Sequence, residues 1–492
     1  MNFLLLLSGF FLGWSLGAND GGNIFGPAVS TRMLKFPTAA IIASVFIILG
    51  AVLQGGGATQ TLSALGAVNQ LSGSCTVAVA AALSLFLMVK TRIPVSSSQA
   101  VVGAILGWNI FANQYTGYTT LITIFSAWVS TPILSALFAI FFYIIFRKYY
   151  YQRRISLLLN DYYLRMGYIT LIAFSAYSLG ANNIANVVGM FASSSPFTPI
   201  NVLGKIIIPA NIQLFFLGGI SIAVGILTRS MNNAQTIGQD IYKMSPTIGF
   251  IAILSSSLVL FLFSSKNLQI LLDTLHLPTL PLVPASSSQA IVGAIIGLGI
   301  IKNANQIQYK KISKIALGWI INPILSGLIC FVSLFFVQNV FNQKVYTPAV
   351  HRFNYIVLQK LESIGVDTSK ISELNNQIFD NPKQLKQTLA SFKISYQEQT
   401  LIAEYGEYFP IYLSSRIISQ IKEQNFFPEQ YYLPFDELEN EYFDYRWQLS
   451  DKFSEKSEYW RYKPQKRKND FYNSELNKRY ELLFRFLQKE IR

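Results

Sequence analysis

Asp20 is one of four acidic residues ahead of position 338, with Asp161, Asp240 and Asp273. It follows a long apolar run and sits in Gly17-Ala18-Asn19-Asp20-Gly21-Gly22-Asn23. A carboxylate at membrane depth costs several kcal/mol unless a cation, a proton or a polar cavity meets it. The residue therefore points to a coupling ion; the plainer alternative is a helix cap at a membrane surface. Asn19, Gly21, Gly22 and Asn23 are poor helix residues, so the expectation is an unwound helix whose carbonyl oxygens, with the asparagine amides, suit a hard cation such as sodium. The pattern returns downstream: LGANDGGNIFG at 16–26 becomes LGANNIANVVG at 179–189, which brings Asn182, Asn183 and Asn186 into corresponding positions.

A second pair of segments offers the opposite chemistry. PVSSSQAVVGAILG at 94–107 returns as PASSSQAIVGAIIG at 284–297 with eleven of fourteen identities. Each sets hydroxyls at the start of an apolar helix, Ser96, Ser97 and Ser98 with Gln99 in one, Ser286, Ser287 and Ser288 with Gln289 in the other. Unpaired N–H groups and the dipole make a helix N-terminus an anion site, and two facing each other could cradle one tetrahedral anion. Serine runs also bond their own helix backbone, which is the structural alternative. Neither segment contains Lys or Arg, so the donors are neutral and suited to reversible binding.

These motifs are carried by membrane-length apolar runs near 2–17, 38–54, 72–90, 119–146, 165–179, 199–227, 246–264 and 315–337. The chain is 51% hydrophobic and 13% charged over 492 residues, far from a soluble composition. Its basic residues are scattered between apolar runs, which excludes a nucleic-acid face, and Arg147, Lys148, Arg153 and Arg154 cluster as cytoplasmic loops do. Cys75 and Cys330 lie in apolar stretches without CxxC spacing, and His276 and His351 are the only histidines, so neither a disulfide framework nor a metal cluster is indicated. The opening residues, lacking a basic leader, read as the first span and not as a cleaved signal.

PILSAL at 132–137 returns as PILSGL at 323–328, a third match in the same order. The expected organisation is a first transmembrane repeat at 1–146, a basic cytoplasmic linker at 147–164, a second repeat at 165–340 with about 27 extra residues between its first two motifs, and a soluble, mostly helical domain at 341–492. With inverted halves, both termini fall outside. The serine-led helices read as half-helices or re-entrant hairpins. The fold class is thus an all-α integral membrane protein with inverted repeats and broken helices. In the tail, Leu476, Tyr480, Leu483 and Leu487 have helical spacing, which alone means core packing.

The duplicated Gly-Ala-Asn-Asp-x-x-Asn and Pro-x-Ser-Ser-Ser segments resemble those of the inorganic phosphate transporter (PiT) family over residues 1 to about 340. The resemblance implies a multi-pass cell-membrane transporter, not an enzyme, that carries phosphate by alternating access with sodium or protons as coupling cation and no other cofactor. By resemblance Asn19, Asp20, Asn23, Ser96–Gln99 and Ser286–Gln289 line the central site. Read by their chemistry, Asn19, Asp20, Asn182 and Asn183 are expected with the coupling ion, sodium at Asp20 included, and Asn23, Asn186, Ser96–Gln99 and Ser286–Gln289 with the substrate. The sequence departs from the family at Asn183, where an aspartate is usual. Sulfate has no proton to give and is repelled by a carboxylate, so losing one weakens discrimination against it. A sulfate permease of the same architecture is therefore the first rival reading, and an anion sensor acting through the tail the second. Membrane lipid surrounds either; homodimerisation stays open.

Overall fold

The computed structural model describes residues 2–65, 68–90, 94–114, 116, 118–149, 156–191, 197, 200–202, 206–237, 244–275, 277–303, 307–380, 382–423, 427, 429–464 and short stretches between 469 and 487. Arg153, Arg154 and His276 lie outside them. The chain divides into two compact units.

The first unit is Met1–Ala112, Thr116–Gln269 and Thr279–Thr347. Its first repeat runs through α1 (Asn2–Ser30), α2 (Phe36–Gln54), α3 (Gly56–Leu65), α4 (Leu71–Lys90), α5 (Ser97–Phe111) and α6 (Tyr118–Tyr149). The second runs through α7 (Leu157–Val188), α8 (Ala210–Arg229), α9 (Met231–Gln235), α10 (Pro246–Ser264), the start of α11 (Lys266–Thr274, whose residues from Ile270 fall in the second unit), α12 (Ser287–Asn303) and α13 (Tyr309–Asn339). Among the described residues six helices are long and apolar enough to cross a membrane, while the apolar α12 is shorter. The protein is a multi-pass membrane protein.

Two expectations need correction. The signature does not unwind its helix, for α1 is continuous over Asn2–Ser30 and α7 over Leu157–Val188. The small residues serve close packing instead: a Cβ on Gly17 would stand 2.0 Å from Ile222 O, and one on Gly180 2.1 Å from Ile47 O. The chain breaks where the serine-led helices begin, since Ser96 is extended (φ −85°, ψ 116°) ahead of α5. Nor is 199–227 one helix. Ile200–Val202 and Ile206–Ile208 pair as antiparallel β1 and β2, and Pro209, with its fixed φ, starts α8.

The repeats interlock by exchange. Gly50 of α2 meets Tyr177 O of α7 at 2.0 Å from an added Cβ, as Gly225 of α8 meets Trp14 O of α1 at 2.1 Å. Gly103 of α5 meets Pro323 O of α13 at 2.1 Å, as Gly293 of α12 meets Pro132 O of α6 at 2.3 Å. Each half therefore packs its small faces on the other half's backbone, as close helix association in lipid requires. The offset is 163 between Gly17 and Gly180, 175 between Gly50 and Gly225, and 190 between Gly103 and Gly293. The extra residues of the second half thus enter in two places, before α8 and around α11.

The second unit is Asn113–Tyr115, Ile270–Pro278 and Pro348–Arg492. It contains a tandem repeat that the sequence reading passed over. ELNNQIFDNPKQL at 373–385 and ELENEYFDYRWQL at 437–449 share seven of thirteen residues. In each copy a short strand and a capped helix precede this segment, β3 (His351–Arg352) with α14 (Tyr355–Ser363), then β5 (Ile411–Tyr412) with α17 (Ser415–Glu423). The repeated segment then supplies the antiparallel partner, β4 (Ile378–Phe379) or β6 (Tyr442–Phe443). Asn376 and Asn440 turn at φ 63° and 65°, the left-handed region asparagine tolerates, and Leu374, Leu385, Leu438 and Leu449 are buried. Leu476, Tyr480, Leu483 and Leu487 join the core around Trp460 and Phe453, which is plain packing.

Candidate functional site

Asp20 lies in the middle of α1 and is fully buried, so it caps no helix end at a surface. Its carboxylate accepts from Asn19, Asn23, Ser97 and Asn183, and Ser287 also reaches it. Asn19 Nδ2 donates to Oδ1 at 2.9 Å and Asn23 Nδ2 at 3.2 Å, while Ser97 Oγ and Asn183 Nδ2 each donate to Oδ2 at 2.7 Å. Four helices from both halves thus meet at the site: α1, α7 and the starts of α5 and α12. Among the described residues no Lys or Arg pairs with this carboxylate.

The two halves are related bond for bond near the helix starts. Asn19 Nδ2 donates to Val95 O at 2.8 Å, and Asn182 Nδ2 to Ala285 O at 2.7 Å. Asn19 also donates to its neighbour Asp20, as Asn182 does to Asn183 Oδ1 at 2.7 Å. The single carboxylate then breaks the symmetry. In one half, Asn23 Nδ2 reaches Ser287 Oγ at 3.1 Å and Ser288 Oγ at 3.2 Å. In the other, Ser97 has turned to Asp20, and both Nδ2 and Oδ1 of the fully buried Asn186 lack a partner. Asn23 Oδ1, Gln99 Oε1 and Gln289 Oε1 are also buried without one. Leaving such a group unpaired costs about 1–3 kcal/mol, and four of the residues with such atoms, Asn23, Gln99, Asn186 and Gln289, lie in this cluster.

Every residue singled out in the sequence as a site candidate is buried in this cluster. They differ in what they face. Ser96 and Ser286 turn back onto their own helices, accepting from Gln99 N and Gln289 N at 3.3 Å each, the capping alternative foreseen for serine runs. Ser98 Oγ lies 3.1 Å from Ser96 Oγ, and Ser288 Oγ donates to Val95 O at 2.7 Å.

The profile of the phosphate transporter family matches residues 16–270 and 274–489. The chain belongs to the phosphate transporter family. The match takes in the second unit as well, beyond the expected limit near 340. A protein of Methanocaldococcus jannaschii provisionally named a phosphate permease is 24% identical over 334 residues, 68% of this chain and 96% of its own length. The sulfate permease CysP of Bacillus subtilis is 29% identical over 345 residues, covering 68% of this chain and 88% of its own. In fold, the chain is similar to a solved structure described as the sodium-dependent phosphate transporter, with a TM-score of 0.54 at 19% identity, covering 68% of this chain and 99% of that one.

Two further amides that sequence reasoning missed bond into the cluster. Asn322 Nδ2 donates to Ser96 O at 2.9 Å and its Oδ1 accepts from Ser84 Oγ at 2.7 Å. Asn233 Nδ2 donates to Asn19 O at 3.0 Å. The signal for Asn322 was available: it is a lone amide just before the repeated PILSGL, where the first repeat has Thr131.

A carboxylate has about four lone-pair sites, and the donors around Asp20 already occupy them. Asn23 Oδ1 and Asn186 Oδ1 are buried amide oxygens without a partner.

Proposed function

We propose that this protein carries phosphate across the membrane by alternating access, coupled to sodium or protons. The observation that supports it most is the buried two-half polar cluster with the amide of Asn186 unpartnered at both ends. Asn186 Nδ2, Asn23, the Ser97–Gln99 segment and the Ser287–Gln289 segment hold the oxyanion. The unpaired oxygens of Gln99 and Gln289 accept the P–OH that monoprotonated phosphate still carries. Asp20 takes the coupling cation with Asn19, Asn182 and Asn183 around it. Because the repeats pack by exchange, the parts that move are groups of helices drawn from both halves.

Sulfate is the second reading, and a specific observation favours it. The site holds one carboxylate where the family commonly has two, and that carboxylate is already saturated by donors. The experiment is uptake of labelled phosphate and labelled sulfate into proteoliposomes under imposed sodium or proton gradients, each anion competing with the other. Accumulation of phosphate that sulfate does not inhibit supports the first reading. Preferential sulfate uptake supports the second, and no uptake of either removes both.

A further inference from the structure

Beside α1 lies a cavity of about 260 Å³ whose walls include Trp14, Ser15, Phe86, Lys90, Arg229 and Asn232. One water takes up about 30 Å³ of liquid, so the space admits a five-atom oxyanion with part of its hydration shell. Two features connect it to the central cluster. Ser15 precedes Asn19 by one helical turn, and Asn232 adjoins Asn233, whose amide holds Asn19 O at 3.0 Å.

Lys90 and Arg229 are the last residues of α4 and α8. Among the described residues neither has a carboxylate partner. Phe86 carries the Lys90 ammonium 4.8 Å above its ring. Ser15 is 1% exposed and its hydroxyl is unpartnered. Cations at the ends of helices can simply answer the helix dipole. The other half argues against that as the whole reason. Through the 175-residue offset, SLFLMVK at 84–90 aligns with VLFLFSS at 259–265, so Lys90 corresponds to Ser265, and Arg229, by the same offset, to Gln54. At those counterparts Lys266 stands one residue beyond Ser265, while α2 ends at Gln54 with no basic residue nearby, so a pair of cations facing one cavity is peculiar to one half. Both side chains are exposed at helix ends beside the cavity, and a cleft lined by one sign of charge raises the local concentration of the opposite ion.

The ends of the α4–α5 hairpin lie together, since Trp108 Nε1 donates to Val345 O at 3.1 Å and Ser72 Oγ donates to Lys344 O. Lys90 is at its far tip, toward the side where α6 ends in Arg147 and Lys148. We propose that Lys90 and Arg229, with Ser15, form a second, staging site for a tetrahedral oxyanion between the central cluster and that side of the membrane. This rests on the oxyanion-carrier reading. The phosphate of an anionic lipid has the same chemistry, and the test separates the two sources.

The full chain is reconstituted in phosphatidylcholine vesicles, and labelled phosphate and sulfate uptake are measured at fixed sodium while choline gluconate is raised. In a Lys90→Gln/Arg229→Gln variant, KM rises about tenfold, the scale on which a charged cleft concentrates its ion, and kcat stays within about twofold. The salt dependence of KM seen in the wild type is lost, since screening acts on charges over about 8 Å at physiological salt. Lys90→Arg/Arg229→Lys restores both. If the double variant fails to insert, Lys90→Gln and Arg229→Gln alone give the same readout in smaller steps. Wild-type KM and salt dependence in the variants overturn the staging site, as does an effect seen only when phosphatidylglycerol is present, which assigns the pair to lipid. A wild type that moves neither anion sinks the carrier reading itself.

Discussion

Replacing Asn183 by aspartate tests what the missing carboxylate does. The Asn183 amide stands 2.7 Å from Asp20 Oδ2 and donates to it. In Asn183→Asp the donor becomes a second negative oxygen at that distance. Two unit charges 2.7 Å apart repel by about 6 kcal/mol at an effective dielectric constant of 20, and the charge-assisted bond lost is worth about 1.5–3 kcal/mol more. Each 1.4 kcal/mol is tenfold, so the pair cannot stay doubly charged and bare; it takes up a proton or a further cation. Uptake by the variant should gain a steeper dependence on sodium and, without sodium, fall as pH rises. Selectivity should move toward phosphate, because the new group repels sulfate. Initial rates for both labelled anions across sodium and pH, at matched membrane amounts, decide it. An unchanged phosphate-to-sulfate ratio with unchanged ion dependence would show the reasoning to be wrong.

Asp20→Asn should abolish coupled uptake while the protein still inserts, measured by transport against a size-exclusion profile; normal uptake removes the coupling role. Ser97→Val and Ser287→Val should each raise the KM for the anion, and a response from one half alone refutes the paired cradle. Removing residues 349–492 should leave uptake intact, whereas a cut at 345 also strips the fully buried Trp108 of its acceptor at Val345 O and should lower thermal stability by about 1–3 kcal/mol. In the second unit burial holds the His351 imidazole below its ordinary value against the opposing pull of Glu407. The unfolded state therefore binds a proton that the folded one refuses, and stability falls as pH drops through about 6.5. Hydrogen exchange at β3 should quicken over that window in the full chain, and His351→Phe should flatten it.

The internal repeat and the polar cluster were legible for the same reason: both rest on short polar motifs that few apolar sequences contain by chance. Asp20, Asn19 and the serine segments could be picked out because each is an expensive residue in an apolar setting. What their side chains face was not legible. Ser96 and Ser97 are adjacent and alike in sequence, yet one caps its helix and the other binds Asp20, which depends on the rotation of α5. The helix through the signature was misread because glycine and asparagine disfavour isolated helices, while here α8 and α2 press against those glycines and hold the helix whole. The β-hairpin at 200–208 was hidden among apolar residues that fit a span as well as a strand. The tandem repeat in the tail was present in the letters, with seven matches in thirteen, but without a span or charge pattern to draw the eye.

The exchanged packing bears on how the chain is made. As the first repeat leaves the ribosome, Gly17, Gly50 and Gly103 have no backbone to lie against, because Ile222, Tyr177 and Pro323 are still to come. The half-finished product is a set of spans with their tightest faces bare. Assembly thus waits for the last long helix, and two separately encoded halves, each incomplete, carry in their complementary grooves the means to find each other in one bilayer.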